Sequence, residues 1–163
     1  MDALVYIGLG TNQGDRLSNL EMAINSLSPA VIPLMLSAIY ETPPWGYLDQ
    51  PQFLNQVLNA RTGLEPVDLL VHLKEVEQRI GRKPTFRYGP RLIDLDILFY
   101  DDLTLETPGL TIPHPNLHER AFVLVPLAEI APDLRHPVLD KTISELLATV
   151  DMQGIHRYLP NDL

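Results

Sequence analysis

The stretch from Leu92 to Tyr100, LIDLDILFY, constrains this chain more than any other. Ile93, Leu95, Ile97 and Phe99 alternate with Asp94, Asp96 and Leu98, the two-residue period of a strand with one face toward a core. Residues two apart in a strand share a face, so both carboxylates stand side by side, roughly 6–7 Å apart at the backbone. Two anions this close repel, and burial penalises each charge further, so one would stay protonated without help. A divalent cation resolves the conflict. Mg2+ takes hard oxygen ligands, commonly one or two carboxylates completed by water and substrate phosphates. Taken alone, the pattern also fits an edge strand with a polar face.

The neighbourhood argues for the cation. RIGRKPTFRYGPR precedes the strand and holds Arg79, Arg82, Lys83, Arg87 and Arg91, five of the 12 basic residues. No acidic residue lies between Glu77 and Asp94, although the chain carries a net charge of −9. A solvated basic loop would explain the charge run by itself. A basic loop punctuated by Gly and Pro and feeding into Asp-x-Asp points instead to a polyphosphate met with Mg2+, since guanidinium forks match phosphate geometry.

Other phosphate machinery is missing. There is no G-x-x-x-x-G-K-[ST] run, so no P-loop. GLGTNQG places glycines at 8, 10 and 14 and misses G-x-G-x-x-G by one place, so it reads as a tight strand-to-helix turn. The acidic balance disfavours nucleic acid and anionic membranes as partners. No apolar run approaches the ~20 residues of a membrane span. With no cysteine among 163 residues, disulfides, thiolate metal sites and a cysteine nucleophile are excluded. The expectation is one domain over residues 1–163, cytoplasmic and monomeric, with small molecules as its partners.

The element order sets the fold class. ALVYIGLG is a strand, and residues 14–27 form a helix with Leu17, Leu20, Ile24 and Leu27 on one stripe. LMLSAIYETPP reads as one strand stopped by Pro43 and Pro44, followed by a loop over residues 43–52 and a strand from Phe53. Residues 65–81 are the clearest helix, with Pro66 near its start, Leu69, Leu73, Val76 and Ile80 on one face, and Gly81 after its end. The aspartate strand follows, then a hairpin near residues 103–112 and a short helix from Glu119. Thr142 and Glu145 fit a capping box opening ISELLATV. The β-α-β-β-α-β order predicts a ferredoxin-like α+β sandwich, with a mostly antiparallel sheet and helices on one face.

Two further constellations stand out. YETPPWGYLDQPQFLN combines a stiff loop, the single tryptophan, and Phe53 and Asn55 two apart on the next strand; a ring beside an amide suits a flat, hydrogen-bonding heterocycle. IPHPNLHERAF offers His114 and Arg120 as further phosphate contacts and Phe122 as a second stacking face. A zinc reading of His114 and His118 is disfavoured, because Pro115 lies between them and the pattern supplies no third ligand.

GPRLIDLDILFY resembles the signature of the 6-hydroxymethyl-7,8-dihydropterin pyrophosphokinases of folate biosynthesis. YIGLGTNQGDR, YETPPWG…DQPQFLN, IGR, IPHP…ERAF and PLAEIAPDLRHP resemble further blocks of that family, in order. The resemblance implies transfer of pyrophosphate from ATP to a pterin hydroxymethyl group, releasing AMP. Two Mg2+ ions would sit on Asp94 and Asp96, and the catalytic set would be Arg82, Arg91, Asp94 and Asp96. It further implies ATP contacts from Lys74, Glu77, Arg82, Tyr88, Arg91, Ile97, His114 and Arg120. A pterin pocket would be built from Thr42, Pro43, Pro44, Trp45, Phe53, Asn55 and Phe122, with the loops 43–52 and 82–91 closing over the substrates. Two positions depart from the family pattern: Pro84 replaces an arginine and Tyr88 a tryptophan.

Overall fold

A computed structural model describes residues 2–81 and 89–159. Arg82 to Tyr88, and with them the Pro84 and Tyr88 substitutions, lie outside the described residues. The central sheet is built from β1 (Ala3–Thr11), β2 (Val31–Leu36), β3 (Tyr40–Thr42), β4 (Phe53–Thr62) and β5 (Asp94–Tyr100). β5 pairs with β1, β1 with β4, and β4 with both β2 and β3, every pairing antiparallel. With α1 (Arg16–Leu27) between β1 and β2, and α2 (Pro66–Ile80) between β4 and β5, the predicted ferredoxin-like order is present. Asp15 caps α1 by accepting from Ser18 N at 3.1 Å. Gly81 ends α2 in the left-handed region, at φ 106°, where a side chain would be strained.

One expected strand is two. β2 starts at Val31 and ends at Leu36, and β3 resumes only at Tyr40. Ser37 explains the break: its N donates to Val57 O at 2.8 Å while its Oγ accepts from Val57 N at 3.0 Å. A side-chain oxygen there stands in for a ladder carbonyl. Pro33 is tolerated because β2 is an edge strand.

The sheet is covered on both faces, not one. On the first, Val5, Ile7 and Leu9 of β1, Leu54 and Leu58 of β4, and Leu95 and Ile97 of β5 bury against Leu20 and Leu27 of α1 and Leu69 and Leu73 of α2. On the second, Tyr6, Val57, Leu98 and Phe99 pack with Leu124 and Leu127 of α3 (Ala121–Ile130) and Ile143 and Leu146 of α4 (Ile143–Leu147). Phe99 was expected beside Leu95 and Ile97. A bulge moves it: Ile7 pairs with Ile97 but Tyr6 with Phe99, so Leu98 is an extra residue and the alternation inverts. The Phe99 ring then meets Tyr6 edge-on at 6.0 Å and the buried His136 at 5.7 Å. The hairpin is present as β6 (Leu105–Thr107) and β7 (Leu110–Ile112), and the Thr142–Glu145 capping box opens α4. The sequence offered no sign of β8 (His156–Arg157), which pairs with β3.

Candidate active site

The second face of the sheet is packed over only part of its length. Along β1, Tyr6 gives way to Gly8 and Gly10. Across the ladder, Gly8 faces Asp96 and Gly10 faces Asp94. On the other side, Gly8 faces Val57 and Gly10 faces Asn55. Three neighbouring strands thus change together from bulky apolar residues to glycine, carboxylate and amide. The result is a cleft of about 300 Å³. The glycines were expected in the turn after β1; Gly8 and Gly10 lie inside the strand, and only Gly14, with φ 66°, occupies the turn. A Cβ on Gly10 would come within 2.9 Å of Asn55 Oδ1, so this position needs glycine for close approach.

The cleft brings together most of the expected residues: Thr42, Pro43, Trp45, Phe53, Asn55, Arg91, Asp94, Asp96, His114, Arg120 and Phe122. β3 and β4 hold Thr42 opposite Phe53. Asn55 Nδ2 donates to Thr42 Oγ1 at 2.6 Å, which orients the amide. The Trp45 and Phe122 rings meet edge-on at 6.1 Å, and the Arg120 guanidinium lies 5.6 Å from the centre of the Phe122 ring.

The electrostatics are those of an anion site awaiting a counter-charge. Burial pushes the Asp96 carboxyl up to about 7, helped by Asp94 beside it and opposed by Arg120. His114 is pushed down to about 4, first by burial and then by Arg120. Its Nδ1 accepts from Asn116 N at 3.2 Å, which leaves the ring proton on Nε2 and makes the neutral ring a donor. Arg120 Nε is buried and has no hydrogen-bond partner among the described residues. A buried guanidinium donor left without a partner is costly unless an anion arrives. Among the described residues no group of three or more His, Asp or Glu forms a metal cluster. Two hard carboxylates, one of them forced toward protonation, nevertheless fit a dication that completes its shell from water and phosphate.

Several expected contacts lie elsewhere. The Ile97 side chain is buried in the core under α1 and α2, because it shares the inward face with Leu95 and not the face of the aspartates; only its backbone is left for a nucleotide. Glu77 is buried behind β5, where its carboxylate accepts from Leu95 N at 2.7 Å and lies 3.7 Å from Lys74 Nζ. It therefore buttresses the aspartate strand. Lys74 is exposed on α2, and neither it nor Pro44 lines the cleft. Arg82 and Tyr88 fall outside the described residues.

Asn12 was missed. It is buried just past β1, where it donates through Nδ2 to Gln50 Oε1 at 2.8 Å and to Pro51 O at 2.9 Å. Its Oδ1 accepts from Arg91 N at 2.8 Å, and its N donates to Arg91 O at 2.9 Å. It ties the 43–52 loop to the segment that carries Arg91. Its one sequence signal is its place between Gly10 and Gly14 in GLGTNQG.

The family of 7,8-dihydro-6-hydroxymethylpterin-pyrophosphokinases matches residues 6–132, and the chain belongs to it. It is 46% identical over 143 residues to the 2-amino-4-hydroxy-6-hydroxymethyldihydropteridine pyrophosphokinase of Aquifex aeolicus, covering 88% of this chain and 89% of that one. It is 44% identical over 154 residues to the enzyme of the same name from Methylorubrum extorquens, covering 93% and 96%. The crystal structure of wild-type Plasmodium falciparum HPPK-DHPS with pteroate matches the fold with a TM-score of 0.75 at 19% identity, over 91% of this chain and 42% of that longer one.

Proposed function

We infer that the cleft is where this pyrophosphokinase works, transferring pyrophosphate from ATP to the hydroxymethyl group of 6-hydroxymethyl-7,8-dihydropterin. The pterin oxygen forms a bond to the β-phosphorus, the bond from that phosphorus to the α,β-bridging oxygen breaks with its electron pair leaving on AMP, and the hydroxyl proton passes to water. The observation that carries this reading is the juxtaposition in one cleft of the Asp94–Asp96 pair with an aromatic, amide-lined recess.

Asp94 and Asp96 would hold two Mg2+ ions. When bound, these would neutralise triphosphate charge and orient the reacting phosphoryl groups. Arg91 and Arg120 hold the anionic chain, and Arg120 Nε gains the acceptor it lacks. Neutral His114 donates through Nε2 to a phosphate oxygen without adding charge. Thr42 and Asn55 read the polar edge of the pterin, while Phe53 and Phe122 cover its faces. Trp45 and Pro43 wall the recess against water. The polar work thus stays in a water-poor site, where electrostatic interactions are strong. The chain acts as one pyrophosphokinase domain on small molecules; among its described residues no helix is long and apolar enough to cross a membrane.

Product analysis tests this. With ATP, Mg2+ and the dihydropterin, phosphorus NMR is expected to show AMP and a pterin diphosphate, both absent with Asp96→Ala. ATP that binds but stays intact would contradict it and indicate a nucleotide sensor.

A further inference from the structure

Arg16 opens α1, and the helix has no use for it there. A cation in the first turn faces the positive end of the helix dipole, which the Asp15 cap already satisfies. The side chain instead reaches across to the stems of the 43–52 loop. Its Nη1 lies 2.8 Å from Glu41 Oε2 and donates to Gln52 O at 3.0 Å. Glu41 immediately precedes Thr42, and Gln52 immediately precedes Phe53. One guanidinium nitrogen therefore fastens both feet of the loop, each next to a residue of the pterin recess. Its carbon also lies 5.6 Å from the centre of the Tyr158 ring, and Tyr158 N donates to Ile39 O at 2.7 Å just ahead of β3.

We propose that Arg16 is a positioning residue for the pterin half of the site: it fixes the spacing of the loop feet, and through them Thr42 and Phe53, without touching either substrate. This rests on the functional reading above. Among the described residues the contacts of Arg16 are with Gln52, Glu41 and Tyr158 and not with Asp94 or Asp96, so its loss separates the two substrates. A lysine could reach Glu41 or the Gln52 carbonyl as a point charge, but it lacks the planar fork and stacks less well on Tyr158.

The test is steady-state kinetics of the full chain with Arg16→Met, Arg16→Lys and Glu41→Gln, alongside thermal melting and binding of a non-hydrolysable ATP analogue with Mg2+. The partly exposed contacts set the expected size. Arg16→Met raises the pterin KM about five-fold. Analogue affinity stays within two-fold of wild type, Arg16→Lys recovers part of the loss, and Glu41→Gln moves the pterin KM the same way by less. Because Glu41→Gln breaks the contact from the other side, it reads the same effect should Arg16→Met fold poorly. An unchanged pterin KM, or equal losses for both substrates, would overturn the proposal. Wild-type protein that turns over no pterin would overturn the functional reading, and this inference with it.

Discussion

The two faces of the sheet are made from the same strands and differ in what those strands present. Toward α1 and α2, β1 offers Val5, Ile7 and Leu9, and β5 offers Leu95 and Ile97, all buried. Toward α3, the same strands offer Gly8, Gly10, Asp94 and Asp96 beyond the last packed pair, Tyr6 and Phe99. The first face spends its side chains on close packing. The second leaves a gap with a carboxyl pushed toward protonation in its floor and, in its wall, an Arg120 Nε that has no hydrogen-bond partner among the described residues. A period of two lets one strand serve both purposes, because each residue commits to a single face. The general lesson is that binding capacity resides where the core was left incomplete.

The sharpest way to break the comparison is at Asp96. Asp96→Asn is expected to lower turnover on the order of a thousand-fold, as seen in product formation. The same variant should melt higher than wild type in metal-free buffer at pH 8. The sign follows from the raised pKa. A carboxyl held near 7 when folded but near 4 when unfolded stabilises the protonated fold, and that contribution is lost as pH rises through about 7. The difference in melting temperature should therefore shrink toward pH 4. A variant less stable than wild type at pH 8 would mean that Asp96 is a structural anchor.

A substitution on the packed face should do the reverse. Leu73→Ala removes a fully buried side chain and is expected to cost about 2–5 kcal/mol in denaturant unfolding, with both KM values unchanged. Between these extremes lies the floor itself. Gly10→Ala brings a methyl against Asn55 Oδ1 and should raise the pterin KM about ten-fold while folding normally.

The smallest effect concerns His136, under Phe99. Its Nδ1 accepts from Val138 N and Leu139 N, both at 3.1 Å, and burial lowers its pKa. The unfolded chain takes up this proton near 6.5 while the folded chain resists it, so stability present above that pH declines as pH falls. His136→Gln should flatten the slope of unfolding free energy between pH 7 and pH 5, measured in urea. An identical slope in the variant would remove His136 from the account.

Much of this was readable in the sequence, for physical reasons that differ by region. α2 declared itself because Leu69, Leu73 and Val76 repeat at helical spacing and Gly81 ends it. The aspartate pair was legible because carboxylates in an apolar alternation conflict with burial. What could not be read depended on contacts between distant segments. The Ser37 interruption of the β2–β3 run requires Val57, 20 residues away, as its partner. The bulge at Leu98 is a register event between β1 and β5, so strict alternation misplaced Phe99. Gly8 and Gly10 matched a turn locally and became a cleft floor only with Asn55 alongside. Asn12 and Arg16 act on chain 25 or more residues away, which no local pattern encodes.

The central claim is that the open half of the second face binds nucleotide through a metal held by Asp94 and Asp96. Calorimetric titration of a non-hydrolysable ATP analogue, with and without Mg2+, into wild type and the Asp94→Asn, Asp96→Asn double variant tests it most directly. The account predicts binding that strengthens with Mg2+ in wild type and loses that dependence in the variant. Equal Mg2+-dependent affinity in both proteins would contradict it.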